Sequence, residues 1–233
     1  MSNDLKFKIS HKVTEDNSSN FTIKPLDRGY GITIGNSLRR ALLTAVPGAA
    51  ITNVKIEGAH HEFSTIDGVT EDVADIIMNL KGVRFHLFES KVEPIFLKVK
   101  GPNAFTAADI QAVSDDFTIL NPDHHITDIA KGTTLEVELR LGIGKGYKSS
   151  EENKLNNSPV GMIPIDSIFN PVTKVSFNVS PLPGAKEDTE MLSLNVTTDG
   201  SITPVDAVSY CSSVLSEHYN TVSYTHLTLP TIA

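Results

Sequence analysis

The sequence predicts an α+β fold dominated by antiparallel strands, on three observations. Seven stretches alternate apolar and polar residues, three others repeat apolar residues at helical spacing, and a polar cluster, EDNSSN, joins the first two strands as a hairpin turn. The strand stretches are residues 5–13, 21–26, 52–57, 95–100, 134–141, 174–179 and 191–196. In the fifth, Leu135, Val137, Leu139 and Leu141 share one face. Residues 148–159, KSSEENKLNNSP, have no periodicity and predict an exposed loop.

The first helix lies within GYGITIGNSLRRALLTAVPG, residues 29–48. At about 100° per residue, Ile34, Leu38, Ala41, Leu42 and Ala45 form a buried stripe, whereas Leu43 falls on the opposite side with Arg39 and Arg40. Gly35 and Asn36 are poor helix formers and Pro47-Gly48 reads as a stop, so packing rather than propensity holds this helix. An arginine and a leucine on its wet side have the composition of an interface anchor, although single exposed leucines are common.

The second helix is predicted within residues 68–82, with Thr70 as N-cap, Glu71 and Asp72 at the positive end of the dipole, and Lys81 and Gly82 closing it. Val73, Ile76, Ile77 and Leu80 make its buried face. A third helix starts at Thr203 as N-cap, with Pro204 at N1 and Asp206 completing the cap, and carries a stripe of Val208, Cys211, Leu215 and Tyr219.

Composition narrows the function classes. The chain has 233 residues, 39% hydrophobic and 21% charged, which suits a soluble globular protein of one large or two small domains. Twenty basic against 28 acidic residues give a net charge of −8, which argues against a surface built to grip phosphate. The single Cys211 rules out an internal disulfide, the start MSNDLKFKIS is not a signal peptide, and no run reaches membrane-spanning length, so the expected compartment is the cytoplasm.

Catalytic signatures are weak. The pairs His60-His61 and His124-His125 are the basis for an alternative reading as a metal-dependent hydrolase, but adjacent strand residues point to opposite faces and no HExxH or CxxC spacing accompanies them. GIGKGY, residues 142–147, follows a strand without opening a helix, and is predicted to be a flexible turn rather than a phosphate loop. There is no G-x-S-x-G elbow, and Cys211 sits on an apolar stripe as a small core residue. No catalytic residue, metal ligand set or cofactor motif emerges.

The runs LDRGYGITIGNSLRRALLTAVPGAAI and HEFSTIDGVTEDVADIIMNLKG, with FTAADI and FNPV later, closely resemble the amino-terminal domain of the bacterial RNA polymerase alpha-subunit family, from about residue 21 to about residue 219. The resemblance implies a non-catalytic platform that homodimerises and recruits the beta and beta-prime subunits. It also implies two subdomains: residues 1–50 and 173–221 as a discontinuous dimerisation part, an antiparallel sheet plus two helices, and residues 51–172 as a mostly-β insert. Carried over by position, Arg40, Leu43, Lys81, Ile165 and Asp166 match large-subunit contacts. Leu38 and Leu42, with Val208, Cys211 and Leu215, match the dimer face, and either stripe serves equally well as monomer core. The family's carboxy-terminal DNA-contacting domain is absent here, so no direct DNA binding is expected of this fragment.

Residues 222–233 read as a non-native tail. The stretch VSYTHLTLPT, residues 222–231, can be written back as consecutive codons of a transposase adapter used in DNA library preparation. A truncated gene read into adapter sequence from about Thr221 is the expectation, with the last helix ending near residues 219–223.

Overall fold

The computed structural model describes residues 8–59, 61–88, 93–154, 159–184 and 189–224. In chain order its elements are β1 (Lys8–Glu15), β2 (Ser18–Asp27), α1 (Tyr30–Thr44), β3 (Pro47–Ile56), α2 (Val73–Lys81), β4 (Phe85–Leu87), β5 (Ile95–Lys100), β6 (Asn103–Thr106) and α3 (Ala107–Gln111). They continue with β7 (Phe117–Ile119), β8 (His125–Ile129), β9 (Thr134–Lys145), β10 (Tyr147–Lys148), β11 (Met162–Pro164), β12 (Ser167–Ile168), β13 (Val172–Pro181), β14 (Thr189–Thr198) and α4 (Pro204–Tyr224). Every strand pairing is antiparallel, so the fold is α+β. No helix among the described residues is long and apolar enough to cross a membrane. The chain divides into two compact units: residues 1–46, 172–198 and 202–233, and residues 47–171 with 199–201.

The first unit is a four-stranded sheet, β1-β2-β14-β13, carrying α1 and α4. Phe21, Val175, Leu194 and Val196 from the sheet meet Leu38, Ala41, Leu42, Ala207 and Cys211 from the helices in one core. EDNSSN turns as predicted, but β1 is exposed along its whole length instead of half-buried, because it is the sheet edge and no described helix covers Ile9 or Val13. Helix α1 has no side-chain N-cap. Its buried Gly31 and Gly35 let it lie directly on the sheet, since a Cβ on Gly35 would come 2.6 Å from the Phe177 ring. Pro47-Gly48 follows the helix end as the stop signal predicts, and it also opens the next strand. The helix already ends at Ala45, whose N–H donates to Ala41 O at 2.7 Å, and residues 47–50 begin β3 by pairing with β9.

Helix α4 begins as its sequence predicts. Asp206 N–H donates to Thr203 Oγ1 at 3.1 Å, and the Thr203 hydroxyl donates to Asp206 Oδ2 at 2.6 Å. It runs to Tyr224, past the expected end at residues 219–223. Extending an existing helix is cheap, and each β-branched residue costs only a few tenths of a kcal/mol, so the composition change after Thr221 does not stop it. Residues 225–233, the rest of the expected tail, lie outside the described residues.

The second unit is built on a six-stranded sheet, β5-β9-β3-β4-β7 with β11 also paired to β3. Leu135, Val137 and Leu139 of β9 enter its core with the α2 face of Val73, Ile76, Ile77 and Leu80. Three local expectations are corrected here. The N-cap of α2 is Asp72, which accepts from Asp75 N at 2.8 Å, because Glu71 is drawn away to β8 and the Thr70 N–H donates to Asp128 O. Residues 142–145 are not a turn but the end of β9, paired with residues 47–50, and their glycines leave room for Thr52 and Phe169. The 148–159 loop is not wholly exposed. Asn153 is buried, donating through Nδ2 to Ile165 O at 2.8 Å and Ser167 Oγ at 2.9 Å, while its own carbonyl accepts from Asn53. Residues 155–158 of that loop lie outside the described residues. A fourth helix, the five-residue α3, went unpredicted because one turn is too short to show a period.

Candidate functional site

Arg40 is exposed on α1, on the side away from the sealed Leu38, Ala41 and Leu42. Its neighbour Leu43 is not free on the wet side. It is half-buried against the core, which reaches round the C-terminal turn where Val46 is fully enclosed. The exposed part of Leu43 still lies one turn from Arg40.

In the second unit, Lys81 at the end of α2 meets Asp166 at 3.6 Å, both partly open to solvent. Asp166 is held by more than that pair. Ser150 N–H donates to its Oδ1 at 2.8 Å, and this bond with the Lys81 charge keeps the carboxyl below the usual carboxylate range despite some desolvation. Desolvation and the facing Asp166 carboxylate, with Glu152, push the Tyr147 phenol up. Burial alternates from the link after β11 into β12, with Ile165 and Ser167 buried, Asp166 half-buried and Ile168 exposed. Ile165 is 3% exposed and belongs to the core, with its N–H on Thr52 O, so its side chain offers no contact surface. The outward isoleucine of this segment is Ile168, exposed and paired in register with exposed Tyr147. The period-two pattern through IPIDSIF was the available signal for this. An exposed ion pair of this kind adds about 0–1 kcal/mol to stability, so the arrangement is better suited to presenting charge than to holding the fold.

The Asp166 geometry has a pH consequence. Its folded pKa is lowered, so the stabilisation is complete above the unfolded value and disappears as pH falls through the folded one. The Ser150 amide resonance in an NMR titration is expected to shift with a midpoint below the ordinary aspartate value and to lose that transition in Asp166→Asn. A midpoint at the ordinary value would contradict the hydrogen bond.

Of the residues that the resemblance assigns to a dimer face, Leu42 and Cys211 are fully enclosed and Leu38 nearly so, while Val208 and Leu215 are half-buried. Two open apolar grooves flank α4: Ile9, His11, Phe21, Val205 and Val208 line one, and Ile23, Tyr30, Ile34, Leu38, Leu215 and Tyr219 the other. His124 and His125 do not form a shared chelate. His124 Nε2–H donates to Asn79 O at 2.8 Å, whereas His125 turns to Glu71 and Asp128. His61 Nδ1 meets Ser64 Oγ, and His60 lies outside the described residues.

Residues 54–170 match the family described as the RNA polymerase Rpb3/RpoA insert domain. The chain is 50% identical over 204 residues to the DNA-directed RNA polymerase subunit alpha of Salinibacter ruber, covering 87% of this chain and 62% of that protein. It is 47% identical over 199 residues to that of Chloroherpeton thalassium (85% and 61%) and 48% identical over 212 residues to that of Limosilactobacillus reuteri (89% and 67%). The chain therefore spans about three-fifths to two-thirds of the length of these relatives.

Proposed function

The chain belongs to the family of bacterial DNA-directed RNA polymerase alpha subunits, and on that premise we propose that it is a non-catalytic assembly subunit of a cytoplasmic RNA polymerase. It pairs with a second copy of itself and recruits the beta and beta-prime subunits for transcription. The observation that carries this reading is the two-sidedness of α1: one face is sealed into the core and the other presents Arg40 beside a half-exposed leucine. Arginine forms bidentate bonds with carboxylates, and an adjacent apolar side chain fills a pocket, which together make an efficient docking anchor. Lys81, Asp166 and the outward Ile168 extend the proposed large-subunit contacts within the second unit.

For the dimer, enclosed Leu42 and Cys211 support the face from beneath, and the contact falls to Val208, Leu215 and the groove walls around α4. A bare β1 edge with Ile9 and Val13 exposed fits burial against a second copy. With a net charge of −8, direct DNA binding is no part of the proposal.

Co-expression with a beta subunit, followed by size-exclusion chromatography with light scattering, tests both halves. The wild-type chain is expected as a dimer that carries beta with it. Arg40→Ala should remain a folded dimer and lose capture, at a cost of about 2 kcal/mol or more for a hot-spot arginine. Unchanged beta capture by Arg40→Ala would remove the assignment, and a chain that elutes as a monomer at all concentrations would remove the dimer.

A further inference from the structure

One residue of the His124-His125 pair is left without a part in the assembly reading, and its surroundings are specific. His125 Nε2 stands 3.5 Å from Glu71 Oε1 and 3.6 Å from Asp128 Oδ2, and the three ligand atoms all lie within 4.8 Å of one another. Those two separations exceed an N–H···O hydrogen bond of about 2.7–3.2 Å. They are close to what a shared ion requires, since ligands at about 2.0–2.1 Å from a tetrahedral zinc stand roughly 3.4 Å apart. We propose that Glu71, His125 and Asp128 form a divalent transition-metal site of the zinc class, tying the segment that leads into α2 to strand β8.

The surrounding structure prepares the site. The Glu71 carboxylate is already oriented: its Oε2 accepts from the Thr127 hydroxyl at 2.5 Å and from Asp128 N–H at 2.9 Å, which leaves Oε1 towards His125. Thr127 is fully buried, so the group doing the orienting is itself fixed, as with the outer partners that aim metal ligands in general. The two ligand-bearing segments are also locked to each other, by the Thr70 N–H donating to Asp128 O and by the bridge between Val69 and Ile129. Little reorganisation is then needed on binding. Two carboxylates neutralise a dication, and the imidazole favours zinc-like ions over magnesium or calcium, which prefer all-oxygen shells. His125 and Asp128 are solvent-facing, so a fourth position opens to water.

The site differs from the paired-histidine chelate considered from the sequence. It uses one ring of the pair and two carboxylates, one of them more than fifty residues earlier in the chain. Its effect would be structural, because it clamps the start of the helix that carries Lys81 at its far end.

Zn2+ titrated into the purified chain against a chromophoric chelator tests the proposal. One saturable equivalent per chain is expected, with a thermal midpoint that rises with Zn2+ and falls back with EDTA. His125→Ala and Asp128→Asn, both at exposed positions, should each weaken binding by at least about tenfold, the effect that losing even an outer-shell partner has. His124→Gln, on the neighbouring ring, should bind as the wild type does. Absence of saturable binding, or binding that His125→Ala and Asp128→Asn leave unchanged, overturns the proposal.

Discussion

Leu42→Asp is expected to unfold the first unit. Leu42 is fully enclosed in a core shared by α1, α4 and three strands, where apolar side chains and Cys211 surround it. An uncompensated buried charge costs about 3–5 kcal/mol, a large share of the roughly 5–15 kcal/mol that stabilises an ordinary domain. Thermal melts followed by circular dichroism should show loss of the cooperative transition or a large drop in its midpoint. The near-isosteric Leu42→Met should stay within about 1.5 kcal/mol of wild type, separating charge from shape. A folded Leu42→Asp with an unchanged midpoint would mean that this face of α1 is not buried.

Gly48→Ala is expected to disrupt the second unit although it adds one methyl group. A Cβ at this position would lie 1.9 Å from Phe169 O, 3.1 Å from Phe169 C and 3.3 Å from Pro171 Cδ. The obstacle is main chain and cannot rotate away. Phe169 is further held by its N–H on Gly146 O at 2.8 Å and by its buried ring. Residues 169–171 must therefore lift from the first turn of β3, at a cost at or above the upper end of the about 1–3 kcal/mol typical of overpacking. Urea denaturation should show the loss, and hydrogen exchange should place it at residues 47–50 and their β9 partners. A variant as stable as wild type would show that this approach is not tight.

The distribution of what was readable follows from the range of the interactions. Where neighbours in sequence supply both halves of a signal, local reading succeeds: the Thr203–Asp206 cap of α4, the Val73-Ile76-Ile77-Leu80 face of α2 and the alternation of β9 all appear as expected. The exposure of Arg40 also follows from helical angle alone. The same alternation in IPIDSIF, applied consistently, separates Ile165 from Asp166, since the chain there keeps the period of the short strands on either side.

The remaining features depend on partners distant in the chain. Thr70 is as good a capping residue as Asp72 by composition; Asp72 caps because Glu71 is claimed by Thr127 and Asp128. Gly35 and Gly48 read locally as a weak helix turn and a stop, and each is also a point where Phe177 or the Phe169 backbone comes too close for a side chain. Asn153 reads as loop until Asn53, Ile165 and Ser167 give it partners. Lys81 and Asp166 were joined beforehand only by family resemblance, because periodicity carries no information across such a separation. Local sequence alone sets the longer strands and the three longer helices, the inner faces of α1 and α2 and the charged outer face of α1. Tertiary structure decided which glycines are contacts, which cap is used and which isoleucine faces out, because those choices are set by atoms that only the folded chain brings within a few ångströms.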